Sequence, residues 1–338
     1  MTGRIVCFGE LLVRLSAPGA ERLLQSPRLE VNIGGAEANV AVSLARLGHQ
    51  VRMVSIAPDN ALGDAAVGEL RRHGVDVGGV RHAAGRMGLY FLSPGAGVRA
   101  SEVLYDRAAS AFALAAPDLI DWGAELDGAD HFHVSGVTAA IGPLASKAAI
   151  RAAQAARAKG LIVSMDCNYR ARLWEAWDGD GPAILRALMA CADLVFGDHR
   201  DVALVLGASA AAGDARQVRQ AAADAAFAAF PKLARMASTH RLVHTADHHE
   251  LTGFMVARGG SVATAPRSLA GIVDRIGGGD AFAAGLIHGL RRRWDDQRAL
   301  DFALAAALLK HATPGDFNLA SEAEVEAVLA GGGADVRR

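Results

Sequence analysis

The sequence lacks several features that define whole classes of protein. Aromatic residues make up only 5% of the 338 residues, too few to supply the stacking platforms of a nucleic-acid reader. The net charge is -1, from 35 Lys and Arg against 36 Asp and Glu, so no overall field attracts polyanions or a membrane surface. We therefore expect neither a nucleic acid nor a membrane as a partner. A preference for an acidic ligand must come from locally placed arginines.

Long apolar runs and paired cysteines are also missing. Charged residues such as Arg4 and Glu10 interrupt the amino-terminal stretch, and no later uncharged apolar run is long enough to span a bilayer. Cys7, Cys167 and Cys191 are odd in number, far apart and without a metal-binding spacing, which indicates free thiols in a reducing compartment. These absences predict a cytoplasmic protein.

Apolar runs bounded by glycine alternate with alanine-rich helical stretches along the whole chain. This alternation is typical of βαβ units around a largely parallel sheet. We predict strands at residues 5–8, 51–56, 131–134, 161–165, 193–196 and 242–245. We predict helices at residues 39–47, 143–159, 279–293, 297–310 and 321–329.

Two stretches, residues 11–33 and 87–112, break this rhythm. In the second stretch, apolar segments flank the turn-rich residues 93–97, which predicts a β-hairpin outside the main sheet. We interpret the two stretches as a small β lid over the sheet edge. The expected organisation is one domain over residues 1–330 that includes this lid, followed by a tail at 331–338. An exposed lid offers strand edges to another copy, so we expect a homo-oligomer through the lid.

Three consecutive glycines, Gly277, Gly278 and Gly279, precede Asp280 and an alanine-rich helix. The backbone N–H groups of such a loop converge on an anion, and the positive end of the helix dipole adds to the attraction. The arrangement suits a phosphate group in transfer. An aspartate at the start of a helix is also a common N-cap, so the loop alone leaves both roles open for Asp280.

The loop is neither of the better-known nucleotide-binding loops. No G-x-x-x-x-G-K-[ST] motif occurs, and Gly34-Gly35 does not continue as G-x-G-x-x-G, so a P-loop kinase and a nicotinamide dehydrogenase are both disfavoured. Gly34 and Gly35 allow a ligand to approach the backbone closely, and Asn39 offers donor and acceptor groups to hydroxyls. A tight turn with an asparagine cap would use the same residues.

Together, the GG-x-x-x-N stretch at residues 34–39 and the D-x-x-G-x-G-D stretch at 274–280 resemble the two signatures of the ribokinase/PfkB family of carbohydrate kinases. The resemblance covers nearly the whole chain, because both signatures fall in the expected halves and the lid-like insertions fit. It implies a ribokinase-like α/β fold, a three-layer sandwich with a mostly parallel central sheet and a small β lid. It also implies ATP and Mg²⁺ as cofactors, Asp280 as the catalytic base, and Gly277, Gly278 and Gly279 as the cradle for the transferred phosphoryl group.

Within this family the chain is most similar to the 2-dehydro-3-deoxygluconokinases, which implies a small acidic sugar as substrate and its 6-phosphate as product. A carboxylate suits arginine, because the planar guanidinium group of Arg107 or Arg170 donates two parallel hydrogen bonds. The residues implied in sugar binding are Gly34, Gly35, Asn39, Tyr90, Tyr105, Arg107, Arg170, Asp280 and Asp316. Other roles stay open: a solvated lid charge for Arg107, a surface ion pair for Arg170, packing for the tyrosines, and a turn for Asp316.

The chain departs from the family pattern at the nucleotide site. The residues at 198–201 are Asp-His-Arg-Asp where the family often has Asn-x-x-Glu, so two carboxylates are candidates to act on Mg²⁺ through water, and no direct metal ligand is assigned. No glycine pair follows the strand expected to end at Thr245. Arg14 stands where many relatives have an acidic residue that touches sugar hydroxyls, which favours an anionic substrate. The predicted ATP-binding residues are Asp198, Thr245, Gly277 and Gly279.

The sequence leaves two alternative functions open. One is a kinase for a neutral sugar, such as fructose or ribose, or for a nucleoside. The other is a non-catalytic sugar-binding regulator on the same fold, although Asp280 after three glycines argues against it. In either case we expect the ligand between the lid and the sheet, outside the carboxyl ends of the parallel strands.

Overall fold

The computed structural model describes residues 3–208 and 213–331, so the predicted tail at 331–338 lies outside the described residues apart from Gly331. The strands are β1 (Arg4–Phe8), β2 (Leu12–Ser16), β3 (Glu30–Gly34), β4 (Val51–Pro58), β5 (Asp76–Ala83), β6 (Gly88–Ser93), β7 (Glu102–Asp106), β8 (Ala129–Ser135), β9 (Ile162–Asp166), β10 (Leu194–Phe196), β11 (Arg235–Thr245), β12 (His248–Ala257), β13 (Gly260–Ala263) and β14 (Arg267–Ala270). The helices are α1 (Ala36–Arg46), α2 (Ala61–Arg72), α3 (Ala111–Leu114), α4 (Trp122–Glu125), α5 (Gly136–Ala139), α6 (Pro143–Ala158), α7 (Ala171–Glu175), α8 (Gly181–Met189), α9 (His199–Leu206), α10 (Ala215–Ala229), α11 (Gly278–Arg291), α12 (Asp296–His311) and α13 (Glu322–Leu329).

The main sheet contains parallel strands in the order β11-β10-β9-β8-β1-β4-β5. The antiparallel strands β12, β13 and β14 extend it beyond β11. The central strand β1 is buried on both faces, since Val6 and Phe8 pack into one core while Ile5 and Cys7 pack into the other. Alternate side chains of a strand point to opposite faces, so a fully covered strand appears in the sequence as a continuous apolar run.

Helices cover both faces of this sheet. Side chains of α1, α2, α11 and α12 belong to one core, and side chains of α6, α8, α9 and α10 belong to the other. The predicted α/β sandwich of three layers is therefore confirmed. The alanine-rich sequence of α6 reflects its packing, because Ala149, Ala152, Ala153 and Ala156 are fully buried against the sheet.

One predicted strand differs from the structure. The strand expected at residues 242–245 is only the last part of β11, which begins at Arg235. β11 pairs in parallel with β10 over its first three residues and then continues with β12 as an antiparallel ribbon. Its middle residues, Ser238 to Arg241, are polar and partly or fully exposed, so no apolar run marks the start of the strand.

The two stretches expected to form the lid build a second sheet in the order β3-β2-β6-β7. In this sheet β2 pairs in parallel with β6, and the register aligns Arg14, Tyr90 and Tyr105 in one row across three strands. The loop after β6 reaches the main sheet, where the carbonyl oxygen of Gly97 accepts a 2.7 Å hydrogen bond from the N–H of Ala246. The lid sheet thus contacts the turn between β11 and β12.

Cys7, Cys167 and Cys191 are buried free thiols, as the sequence predicted. Among the described residues, no helix combines the length and the apolar character needed to cross a membrane.

Candidate active site

A cavity of about 690 Å³ lies between the lid sheet and the carboxyl ends of the parallel strands, where the sequence analysis expected the ligand. Most of the predicted site residues line it, namely Gly35, Asn39, Tyr90, Tyr105, Arg107, Arg170, Asp198, Gly277, Gly279, Asp280 and Asp316. Gly34, Gly278 and Thr245 are not part of its wall. The cavity therefore brings residues from both signatures and from the lid together.

The glycine loop owes its shape to contacts behind the cavity. Gly277 is the N-cap of α11 with a φ of 81°, and a Cβ atom there would lie 2.0 Å from the carbonyl oxygen of Asp316. A Cβ atom at Gly278 would lie 2.6 Å from His311, whereas one at Gly279 would meet no atom within 4 Å. Gly277 and Gly278 therefore permit the turn, and Gly279 leaves the start of α11 open to an anion.

Asp280 lies in the first turn of α11, and the N-cap position belongs to Gly277. The N-cap role that the sequence left open is therefore not the role of Asp280. The amide of Asn39 donates a 2.7 Å hydrogen bond to its Oδ2 atom. Burial raises the pKa of Asp280 to about 6, because the opposing effect of the Asn39 hydrogen bond is smaller. A carboxylate with this pKa suits a general base that works near neutral pH.

The paired glycines of the first signature explain how Asn39 reaches Asp280. A Cβ atom at Gly34 would lie 2.1 Å from the Asp316 carboxylate, and one at Gly35 would lie 2.3 Å from the carbonyl oxygen of Glu10. The lack of side chains lets the chain turn from β3 into α1 in this tight space. Asn39 follows in the second turn of α1 and faces the glycine loop.

The first aspartate of the second signature has a structural role. Asp274 accepts hydrogen bonds from Arg14 at 2.6 Å, from the N–H of Ile276 at 3.0 Å and from the N–H of Gly315 at 3.1 Å. Arg14 is 2% exposed and also lies 3.2 Å from Asp316. The argument from Arg14 to an anionic substrate therefore does not hold, since the charge of Arg14 is balanced by Asp274 and Asp316 and Arg14 is not part of the cavity wall.

Tyr90 and Asp316 form a buried pair. The Tyr90 hydroxyl donates a 2.5 Å hydrogen bond to Asp316, and the centre of the Tyr105 ring lies 6.4 Å from the centre of the Tyr90 ring. All three residues line the cavity. Burial raises the pKa of Asp316, although Arg14 and the Tyr90 hydrogen bond counteract this effect. Asp316 is thus a buried acceptor rather than only a turn residue.

Arg107 is 5% exposed, so it is not a solvated lid charge. Its Nε and Nη2 atoms lie 2.8 Å and 2.7 Å from one carboxylate oxygen of Glu10, and the Ser110 hydroxyl donates to the other oxygen. Neither contact with Glu10 uses the Nη1 group of Arg107, and Arg107 lines the cavity. Sequence reasoning missed Glu10, and its position just after the central strand β1 was the available signal.

Arg170 has no ion pair among the described residues, so the surface ion pair considered for it is absent there. It follows β9 at the start of α7, and its charge lowers the pKa of both Asp280 and Asp166. Asp166, at the carboxyl end of β9, was also missed by sequence reasoning. Burial, and then Asp280 and Asp201, raise the pKa of Asp166 to about 7. An acidic residue at the end of a predicted parallel strand was the signal that could have identified it.

The position of Thr245 differs from the prediction that it lines the ATP site. Thr245 is the last residue of β11 and donates a 2.8 Å hydrogen bond to Asp247, whereas Ser238 and Thr239 of the same strand line the cavity. The predicted strand end agrees with the end of β11, but β11 continues past β10 into a hairpin, so residues 242–245 are not part of the cavity wall. Asp198 does line the cavity and is the N-cap of α9.

The fold and the cavity define the class of a phosphotransferase, with an aspartate at a glycine-lined helix start below a β lid. The sequence model described as pfkB family carbohydrate kinase matches residues 2–322. The chain therefore belongs to the PfkB family of carbohydrate kinases, as the resemblance predicted, and is an ATP-dependent sugar kinase.

Relatives of known name support the same family. The chain is 33% identical over 338 residues to the 2-dehydro-3-deoxygalactonokinase of Haloferax volcanii, with 100% of each chain covered. It is 28% identical to the 2-dehydro-3-deoxygluconokinase of Thermoproteus tenax, over 96% of this chain and 94% of that one. The crystal structure of 2-dehydro-3-deoxygluconokinase from Thermotoga maritima matches with a TM-score of 0.91 and 37% identity, over 97% of this chain and 99% of that one. The ribokinase-like fold is thereby confirmed.

Proposed function

We propose that the protein transfers the γ-phosphoryl group of ATP to the terminal hydroxyl of 2-dehydro-3-deoxy-D-gluconate, or a close acidic keto-sugar, and forms the 6-phosphate. The observation that carries this proposal is the shared cavity, in which Asp280 and the glycine loop lie together with Arg107 and Arg170. The first pair suits phosphoryl transfer, and the arginines suit a carboxylate. The names of the relatives in Haloferax volcanii and Thermotoga maritima are those of kinases for deoxy-keto acids, which agrees with a deoxy-keto acid as the substrate.

Asp280 accepts the proton of the sugar hydroxyl as the hydroxyl oxygen attacks the γ-phosphorus. Asn39 orients the carboxylate through its 2.7 Å hydrogen bond, which leaves the other carboxylate oxygen for the substrate. The open backbone at Gly279 and the helix dipole of α11 stabilise the negative charge on the transferred phosphoryl oxygens. The other product is ADP.

The acidic end of the sugar lies against the lid wall in this proposal. The Nη1 group of Arg107, which does not contact Glu10, and the guanidinium group of Arg170 bind the carboxylate, and Glu10 holds Arg107 in place. The Tyr105 hydroxyl adds a contact to the sugar, and the Tyr90 hydroxyl is oriented by Asp316. Positive charge at one end and a base at the other set the direction in which the sugar binds.

The carboxylates near the nucleotide end fit a hydrated Mg²⁺ ion. Asp166 and Asp201 both line the cavity, burial raises the pKa of each, and Asp201 further raises that of Asp166. A divalent cation would remove this repulsion, and Mg²⁺ usually keeps several waters when carboxylates hold it. When bound, the ion supplies positive charge at the nucleotide phosphates.

The proposal is tested by a phosphorylation screen with ATP and a panel of sugars. The panel contains 2-dehydro-3-deoxygluconate, its C4 epimer 2-dehydro-3-deoxygalactonate, gluconate, fructose and ribose, and ADP release is measured for each. We expect kcat/KM to be highest for the deoxy-keto acids and to be lost in Asp280→Asn, which keeps the shape of the side chain but accepts no proton. Preferred turnover of fructose or ribose would favour the neutral-sugar kinase instead, and no turnover of any sugar would favour a non-catalytic protein.

We further propose a cytoplasmic homo-oligomer that assembles through the lid. The outer face of the lid sheet carries an apolar row, Val31, Leu15, Phe91 and Leu104, aligned by strand register. Val31 is 64% exposed and Leu104 is 59% exposed, which is unusual for apolar strand residues in a monomer. A second copy of the same face would cover this row.

A further inference from the structure

Three arginines in the cavity have no ion pair within the described part of the chain. Arg170 comes from the start of α7, Arg241 from β11, and Arg275 from the loop before α11. The other cavity arginines are paired, since Arg107 contacts Glu10 and Arg200 contacts Asp198 at 2.7 Å. The three unpaired guanidinium groups therefore concentrate positive charge on one part of the wall.

These arginines lie close enough to repel one another. Partial desolvation of its guanidinium group lowers the pKa of Arg241, and the charges of Arg275 and then Arg170 lower it further. Guanidinium groups bind phosphate oxygens through charge-assisted hydrogen bonds. A cluster of this kind is complementary to a multivalent anion.

Arg241 and Arg275 are linked to the glycine loop by sequence and by charge. Arg275 stands two positions before Gly277, and the charge of Arg241 lowers the pKa of His311, the residue that packs against Gly278. Arg170 is the member whose charge lowers the pKa of Asp280, against the larger effect of burial, so it lies on the sugar side of the cavity. Arg241 and Arg275 both line the cavity, and Arg275 adjoins the glycine loop, where the proposed function places the phosphoryl groups of ATP.

We propose that Arg241 and Arg275 bind the β-phosphate of ATP and are catalytic residues that stabilise the charge on the departing ADP. The inference rests on the proposed function. In the transfer, the sugar oxygen bonds to the γ-phosphorus and its proton passes to Asp280. The bond between the γ-phosphorus and the bridging oxygen breaks, and its electron pair stays on the β-phosphate. Donors placed at that oxygen act where charge accumulates in a loose transition state.

The test compares Arg241→Ala, Arg241→Lys and Arg275→Ala with the wild-type enzyme. Isothermal titration with ADP and with AMP, each with Mg²⁺ and without sugar, separates contacts to the β-phosphate from contacts to the rest of the nucleotide. Arg267→Ala is the matched control, because Arg267 is an exposed arginine on β14 outside the cavity. Thermal melting verifies that each variant is folded.

We expect both alanine variants to lose about ten- to hundredfold in ADP affinity, the usual effect of removing a charged hydrogen bond. AMP affinity should stay unchanged, kcat should fall, and Arg241→Lys should recover part of both losses. ADP affinity within twofold of the wild type, or an equal loss for AMP, would overturn the proposal. A loss confined to sugar binding would overturn it too, because the arginines would then belong to the acidic end. If the wild type binds ADP but phosphorylates no sugar, the proposed function fails, while the ADP titrations still test the arginines.

Discussion

Asp280 and Asn39 join the two sequence signatures through a single hydrogen bond. The residues are 241 positions apart in the chain, and their 2.7 Å contact is the point at which the signatures meet. The bond has a chemical effect, because it lowers the pKa of Asp280 against the larger effect of burial. The pKa of the proposed base therefore depends on a residue of the other signature.

The pKa of Asp280 predicts the pH dependence of turnover. A general base works when it is ionised, so kcat/KM for the sugar at saturating ATP should fall as the pH drops below about 6, the pKa of this carboxyl group. Asn39→Ala removes a bond that favours the ionised form, so its acid limb should shift to higher pH. Rate profiles of the two enzymes from pH 5 to 9 measure both effects. An acid limb at the same pH in both would mean that another group is the base.

Arg107 and Arg170 should respond differently to truncation, although both are proposed carboxylate ligands. Arg170→Ala removes a side chain without an ion pair in the described part of the chain, so the sugar KM should rise about ten- to hundredfold with little change in stability. Arg107→Ala should raise the sugar KM too. It should also lower the free energy of unfolding by about 3 to 5 kcal/mol, because Glu10 loses its buried partner.

Steady-state kinetics and urea unfolding of the two variants measure this contrast, and ATP binding is the control. The KM for ATP should change much less than the KM for the sugar. Unchanged sugar KM values in both variants would contradict the proposal that Arg107 and Arg170 bind the sugar carboxylate.

At the scale of elements, polar contacts and apolar packing both join the lid sheet to the main domain. Arg14 of β2 pairs with Asp274 and Asp316, and Arg107, which follows β7, pairs with Glu10. The long loop between β6 and β7 adds the hydrogen bond from Ala246 to Gly97. The lid thus supplies Tyr90, Tyr105 and Arg107 to the cavity, while Val13 of β2 joins the lid sheet to the main core.

We predict that the lid closes on the sugar, since an exposed γ-phosphate would be lost to water. Hydrogen exchange over residues 87–112 should slow when the acidic sugar is added and should change little with ATP alone. Peptides from β5, at the far edge of the main sheet, are the internal control and should keep their rate. Equal exchange with and without the sugar would place the lid residues in packing or interface roles instead.

For the whole molecule, the exposed apolar row of the lid predicts the oligomeric state. A dimer through this face should have twice the 35.0 kDa mass of one chain. Val31→Glu with Leu104→Glu places charges in the row and should shift the protein toward the monomer. Light scattering after gel filtration measures the mass. Leu119→Glu, at an apolar residue that is 48% exposed elsewhere, is the control, and a monomeric wild type would contradict the interface.

Much of the fold could be predicted from the sequence alone because its signals are local. Strands buried on both faces are apolar runs, helices against the sheet are rich in alanine, and the glycine loop precedes a helix in the chain itself. The two signatures identified the family for the same reason, since each is a short contiguous stretch. The predicted bounds of the main helices and strands therefore agree closely with the structure, apart from β11.

Only the tertiary structure decided which charges face the cavity. From the sequence, Arg14 was expected to favour an anionic substrate. Folding instead places it between Asp274 and Asp316, which are distant from Arg14 in the chain. It also gives Arg107 a partner in Glu10 and moves Thr245 out of the cavity wall, while Asp166 and Arg241 enter that wall. The physical reason is that the pairing and pKa of a buried charge depend on its neighbours in space, and long-range packing determines those neighbours.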